Sequence, residues 1–258
     1  MTDIIPTVTI PVQTHSSLET FHTCPRQYEA KHVLRSVKFQ PTYESRWGDD
    51  THNALENFLN SRGADRIPDV TNMLTKQNMR DYEVFGRAIL ERADRKGGTV
   101  LAERKFAITH DHTSGAYFDS SNWVRGKIDL TVIYPHLRMA EVIDWKTGKR
   151  KNDPDQLMMY SASALVDYPN IDVVRAAYGW LREPVNKAID KPFEFSRYGL
   201  DTIWASINSK YYNVVRAWQT NTFPPKPSGL CGWCDVTTCE FWKESPEKLR
   251  RQKLTEGL

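Results

Sequence analysis

The sequence predicts an α/β domain with a mixed central sheet and flanking helices. Three observations predict it. Helical patterns fill residues 15–95, five strand-like segments fill residues 99–196 with one helical pattern between the third and fourth, and a long amphipathic pattern follows at 200–218. A helix between two strands is how a chain connects a parallel pair. The expected organisation is a single domain, 1–258: a helical part over about 15–95, a sheet core over about 99–196, and a C-terminal helix with a cysteine tail over about 199–245.

Residues 1–14 read as extended or loose. Ser16 or Ser17 can cap a helix over Leu18–Val33, which Pro25 divides into two pieces. Ala54, Leu55, Phe58 and Leu59 recur at helical spacing, so Gly48–Leu59 reads as a helix, and Val70–Ala93 as a further helical stretch. The strands begin at Thr99–Ile108. Asn122–Tyr134 and Met139–Lys146 are the clearest, rich in Val, Ile, Thr and Trp, with Pro135 in the turn between them. Asp153-Pro154-Asp155-Gln156 reads as a helix start with Asp153 as cap and Gln156 closing a capping box, and the helix runs to about Val166. Val173–Leu181 and Pro192–Ser196 read as two more strands, Leu200–Trp218 as a long helix, and Phe223–Gly229 as an extended linker.

The chain has 258 residues, 40% hydrophobic and 26% charged, enough to bury a core without disulfides. Its 35 Lys and Arg against 32 Asp and Glu leave a net charge of only +3, which excludes a histone-like binder but permits a local basic groove. No apolar run approaches the roughly 18–20 residues of a membrane span, and the start lacks the pattern of a signal peptide. The expected compartment is the cytoplasm.

In a reducing compartment, clustered cysteines point to metal rather than to disulfides. Cys231 and Cys234 form a C-x2-C knuckle, Cys239 follows, and Cys24 lies far upstream. Four thiolates suit either tetrahedral zinc or an iron–sulfur cluster, and spacing alone does not choose. Trp233, Phe241 and Trp242 would give such a site an apolar shield.

The chemistry centres on Gly126-Lys127-Ile128-Asp129 and on Glu141 to Gly148, which contains Asp144-Trp145-Lys146. Side chains alternate along a strand, so Asp144 and Lys146 project to one side while Ile143 and Trp145 go to the other. If the two strands pair, Asp129 sits beside Asp144. Two carboxylates that close repel unless a divalent cation lies between them, and oxygen ligands suit Mg²⁺ or Mn²⁺. Lys146 is then positioned to orient or deprotonate an attacking water. Glu103, on the preceding strand, either reaches this site or lies exposed. Lys149, Arg150 and Lys151 either grip phosphates or form a solvated turn, Tyr43 and Trp47 either stack on bases or pack in the core, and His110 and His112 read as a solvated turn.

With these motifs in order, the sequence resembles the RecB-type nucleases of the PD-(D/E)XK superfamily, especially those with an iron–sulfur staple. The resemblance rests on Cys24-Pro25-Arg26-Gln27-Tyr28, Gly48-x3-His52, Gly126 to Asp129, Asp144-Trp145-Lys146, Gln156-x3-Tyr160, and Cys231, Cys234 and Cys239. It implies a metal-dependent DNA exonuclease of DNA processing, repair or recombination. His52, Asp129, Asp144 and the Trp145 carbonyl would be metal ligands for Mg²⁺ or Mn²⁺. Lys146 would be the catalytic lysine, with Gln156 and Tyr160 lining the site beside Asp129 and Asp144. It also implies that Cys24, Cys231, Cys234 and Cys239 hold a 4Fe–4S cluster rather than zinc, joining the N- and C-terminal ends. Expected partners are single-stranded DNA or DNA ends and a helicase or recombination protein. The competing reading is a catalytically silent DNA- or helicase-binding module of the same fold.

Overall fold

The computed structural model describes residues 9–38, 40–150 and 154–255. The chain divides into two compact units, Glu44–Ile207 and Met1–Tyr43 with Asn208–Leu258.

The larger unit is built on a five-stranded sheet in the order β1-β2-β3-β4-β5: β1 Thr99–Thr109, β2 Asn122–Tyr134, β3 Met139–Lys146, β4 Val173–Trp180 and β5 Phe193–Ser196. β3 and β4 run parallel and the other neighbours antiparallel. The sheet is therefore mixed, as the sequence implies. On one face, Leu130, Val132, Ile143 and Trp145 share an apolar cluster with Leu55 and Phe58 of one helix (Tyr43–Asn60) and Phe85 and Ile89 of another (Glu83–Arg95). On the other lies the β3–β4 crossover helix, Asp155–Asp167, whose Leu157, Ala162, Ala164 and Leu165 are fully buried. Three-layer burial of this kind explains why β3 reads as an apolar run interrupted by Glu141, Asp144 and Lys146.

In chain order the helices are α1 His15–Thr23, α2 Pro25–Tyr28, α3 Tyr43–Asn60, α4 Glu83–Arg95, α5 Asp155–Asp167, α6 Val185–Ala188, α7 Leu200–Thr220 and α8 Pro246–Thr255. In the smaller unit, Pro25 separates α1 from α2, and a single π turn over Glu29–Val33 follows. Tyr28 is fully buried, donates to Gln13 at 3.1 Å and accepts from Trp218 at 3.2 Å. Among the described residues no helix is long and apolar enough to cross a membrane.

Several local expectations change. The cap of α1 is Thr14, whose hydroxyl accepts from the Ser17 amide while Ser17 Oγ accepts from the Thr14 amide, so Ser17 closes the box instead of opening the helix. The helix at 43–60 starts five residues before Gly48. Residues 70–78 are not helical: Asn72 Oδ1 accepts from the amides of Leu74 and Thr75, and Thr71 bridges to Asn78, local bonds that compete with a helix. A 3₁₀ turn, Met79–Tyr82, then leads into α4. Asp153 lies outside the described residues, the cap of α5 is Pro154, and Gln156 makes no capping bond there. His112 is not a solvated turn residue. Its ring stacks on Trp204 at 4.7 Å. Arg150 is paired with Asp190 and donates to the Lys187 carbonyl, Lys151 lies outside the described residues, and Trp47 is core.

Candidate active site

α3 delivers His52 because Gly48, one turn earlier, lets the helix approach the end of β3. A Cβ at Gly48 would stand 3.1 Å from Thr147 Oγ1. Gly126 serves β2 in a similar way, since a Cβ there would lie 2.8 Å from the ring of Phe106, its partner in register. Both motif glycines therefore mark close approaches.

The β2–β3 ladder ends at Leu130↔Ile143. One residue further, Asp129 turns its carboxylate to two donors. Oδ2 accepts from the Trp145 amide at 2.7 Å, and Oδ1 lies 3.2 Å from His52 Nδ1. Asp144, only 2% exposed, points towards α5 and forms an ion pair with Lys146. Gln156 ties this half together. Its carbonyl accepts from Lys146 Nζ at 2.8 Å, and its amide donates to Asp144 Oδ1 at 3.0 Å and to the Tyr160 hydroxyl at 2.8 Å. Gln156 and Tyr160 share one face of α5, as their spacing requires. Trp145 and Ile143 bury on the opposite side of β3. His52, Asp129, Trp145 and Lys146 border an open cleft of about 750 Å³.

The electrostatics follow from burying two carboxylates beside one lysine. Burial, then the charge of Asp129, pushes the Asp144 carboxyl up to about 7, against the opposing pull of Lys146 and His52. For His52, burial is the largest influence and acts downward, but the hydrogen bond and charge of Asp129, with Asp144, outweigh it and leave the imidazole above its ordinary value. Burial, then Asp144, drives the Tyr160 hydroxyl well up, so it stays neutral and accepts from the Gln156 amide.

Glu103 joins this group. Among the described residues, His52, Glu103 and Asp129 form the one trio of His, Cys, Asp or Glu whose ligand atoms all lie within 4.8 Å of one another. Asp144 stands beyond that trio, tied to Lys146 and Gln156. Glu103 sits opposite Asp129, between the pairs Ala102↔Leu130 and Arg104↔Ile128, and its φ is +50°. The left-handed residue breaks the alternation of β1. Ala102 packs on the α3–α4 cluster, Arg104 reaches Ser163 and Asp167 of α5, and Glu103 turns to the side of His52. A non-glycine residue held there costs of order 1–3 kcal/mol and persists where its surroundings over-determine it. Period-two counting cannot locate such a residue, so the sequence gives only its proximity.

In the smaller unit, Cys24, Cys231, Cys234 and Cys239 line one cavity of about 230 Å³ with Trp233 and Trp242 on its wall. All four are free thiols. Backbone amides approach three of the sulfurs: Lys226 N to Cys24 at 3.4 Å, Ser228 N to Cys231 at 3.3 Å and Val236 N to Cys234 at 3.5 Å.

No curated protein matches the chain. Among solved structures it is similar to a protein from Eubacterium rectale titled "Putative exonuclease", at 13% identity over 96% of this chain and 94% of that one, with a TM-score of 0.48. It is also similar to SSO0001, at 13% identity over 91% and 88%, with a TM-score of 0.37. The sequence model of the PD-(D/E)XK nuclease superfamily matches residues 13–239, from before α1 to the last cysteine. The chain therefore belongs to the PD-(D/E)XK nuclease superfamily.

Proposed function

We propose that this nuclease is a RecB-type, metal-dependent DNA exonuclease. The observation that carries the reading is the convergence of His52, Glu103 and Asp129 on one wall of the cleft with the Lys146–Asp144–Gln156 network beside them. Two carboxylates and an imidazole within 4.8 Å of one another fit a divalent cation of the Mg²⁺ or Mn²⁺ class. Asp144 and the Trp145 carbonyl complete the set of candidate ligands. A cation held there would polarise a phosphodiester and lower the pKa of an adjacent water.

The remaining work falls to the chain. Lys146, held by Gln156 and Asp144 as an ammonium, orients the attacking water by donating to it. Its positive charge also offsets charge growing on the phosphoryl oxygens. Tyr160, kept neutral by burial, fixes the Gln156 amide.

The four cysteines are read as holders of a 4Fe–4S cluster with a structural role. The four thiols line one cavity with Trp233 and Trp242 on its wall, a lining that suits a thiolate-held group. The amide approaches to three sulfurs suit thiolate ligands. A helicase or recombination complex is the expected setting.

The test is digestion of end-labelled linear and closed circular DNA with Mg²⁺, Mn²⁺ or EDTA, using wild type and Lys146→Ala. Metal-dependent loss of linear DNA only, abolished in the variant, is expected. Cleavage of circles would replace exonuclease by endonuclease, and no cleavage with retained DNA binding would favour the silent module. Iron and sulfide analysis of protein purified without oxygen tests the cluster, and stoichiometric zinc without iron would overturn it.

A further inference from the structure

The cleft does not end at Asp129. Lys127 forms an ion pair with Glu103 at 2.5 Å and stands directly opposite Lys105 in register, and Arg125 follows two residues further along β2. Period two puts Arg125 and Lys127 on one side of the sheet. Above them lies the loop between β1 and β2. Lys105 Nζ sits over the rings of Tyr117 at 5.5 Å and Phe118 at 6.0 Å, and the Arg125 guanidinium lies over Tyr117 at 5.4 Å. Arg125 also donates to the Tyr117 carbonyl at 3.3 Å, and the two rings meet edge to face. Phe118 is 80% exposed and contributes nothing to a core. Among the described residues, neither Lys105 nor Arg125 is paired with a carboxylate, whereas Arg92, Arg104 and Arg138 are. The loop's Asp119 turns back on the Ser121 amide at 2.8 Å.

We infer that the β1–β2 face from Lys127 to Phe118 is a track for single-stranded DNA leading to or from the cleft. Lys105 and Arg125 take the phosphates, and Phe118 stacks on an unpaired base. The chemistry selects a single strand because only an unpaired base offers its face to an exposed ring, while unpaired cations hold the backbone without reading sequence. Cations already seated over Tyr117 and Phe118 hold the loop ready, so little ordering remains for binding. This inference rests on the nuclease reading above and names the substrate form that reading leaves open.

The test is anisotropy of a labelled oligothymidylate and of a labelled blunt duplex, measured on the full chain carrying Lys146→Ala to stop turnover. Adding Phe118→Ala is expected to weaken oligothymidylate binding roughly five- to a hundredfold and to leave duplex binding unchanged. Adding Lys105→Gln is expected to reduce the salt dependence by about one phosphate contact. Phe118 is too exposed for its loss to threaten folding, and an unchanged melting temperature verifies this. Equal affinity of the Phe118→Ala protein for the single strand, or an equal loss on duplex, would overturn the track. Digestion by protein with Lys146 intact separates the two failures: DNA cleaved at wild-type rate and pattern by Phe118→Ala sinks the track alone, whereas no cleavage of any DNA sinks the nuclease reading beneath it.

Discussion

Gln156 accepts a hydrogen bond from Lys146 at 2.8 Å, and this contact fixes where the only lysine of the D-x-K motif can put its charge. The same amide group donates to Asp144 and Tyr160, so the lysine is held from a helix as well as by Asp144 of its own strand. Gln156→Ala should keep the fold and the KM while lowering kcat up to about 10²-fold, the scale of a misplaced catalytic group. Lys146→Ala should cost about 10²–10⁴-fold. Single-turnover rates on end-labelled DNA measure both, and wild-type turnover in Gln156→Ala would free the lysine from this network.

Glu103 makes the second prediction, because its carboxylate and its backbone can be separated by mutation. Both Glu103→Gln and Glu103→Gly remove the charge facing His52 and Asp129, and each should weaken Mn²⁺ binding by about tenfold or more. Only glycine also relieves the left-handed φ of +50°. Glu103→Gly should therefore be about 1 kcal/mol more stable than Glu103→Gln. Urea melts check the stability and calorimetric titration the affinity. Equal stabilities would show that the strand carries no strain there.

How far the sequence could be read varies with the physics behind each feature. β2 and β3 end where their apolar patterns end, because a buried strand must be apolar on both faces. The Asp144 and Lys146 side was legible from alternation alone. Gln156 and Tyr160 were legible because i and i+4 share a helix face. The competing capping role of Gln156 could be judged only with β3 in view, since the bonds to Lys146 and Asp144 are long-range. Glu103 was left between reaching the site and lying exposed, because a positive φ breaks the alternation that locates strand residues. The loop at 70–78 escaped because Asn72 trades a helix for side-chain bonds to its own turn.

Glu83 gives a stability prediction remote from the cleft. It is buried at the start of α4 and accepts from Arg66 at 2.6 Å, the Ile67 amide at 3.1 Å and Arg87 at 3.2 Å. The Arg66 hydrogen bond is the largest influence and holds its carboxyl below the ordinary range, against burial. A carboxyl lowered on folding stabilises above its unfolded pKa, and that contribution is lost as pH falls through the folded value. Urea melts should thus show stability falling below about pH 4.5 more steeply in wild type than in Glu83→Gln. At neutral pH the variant should be about 1–3 kcal/mol less stable, the cost of weakening a buried charged hydrogen-bond centre. Parallel acid limbs in the two proteins would assign the pH dependence elsewhere.

Asp144 makes the cation site itself sensitive to pH. Without a cation, burial and Asp129 push its carboxyl up to about 7, so below that pH it is protonated. His52, raised above its ordinary value by Asp129, also takes up a proton as pH falls. A divalent ion needs both groups unprotonated, so its binding must expel protons and weaken as pH falls. Mn²⁺ affinity should drop by up to about tenfold per proton released for each pH unit below 7, and level off above it. Asp144→Asn removes the carboxyl and leaves only the His52 contribution, so its affinity should be lower at pH 8 and its pH slope shallower. Calorimetric titrations between about pH 6 and 8 in buffers of different ionisation enthalpy count the protons directly. If wild type and Asp144→Asn release the same number of protons, Asp144 is ionised before the cation arrives, and its burial beside Asp129 does not govern metal binding.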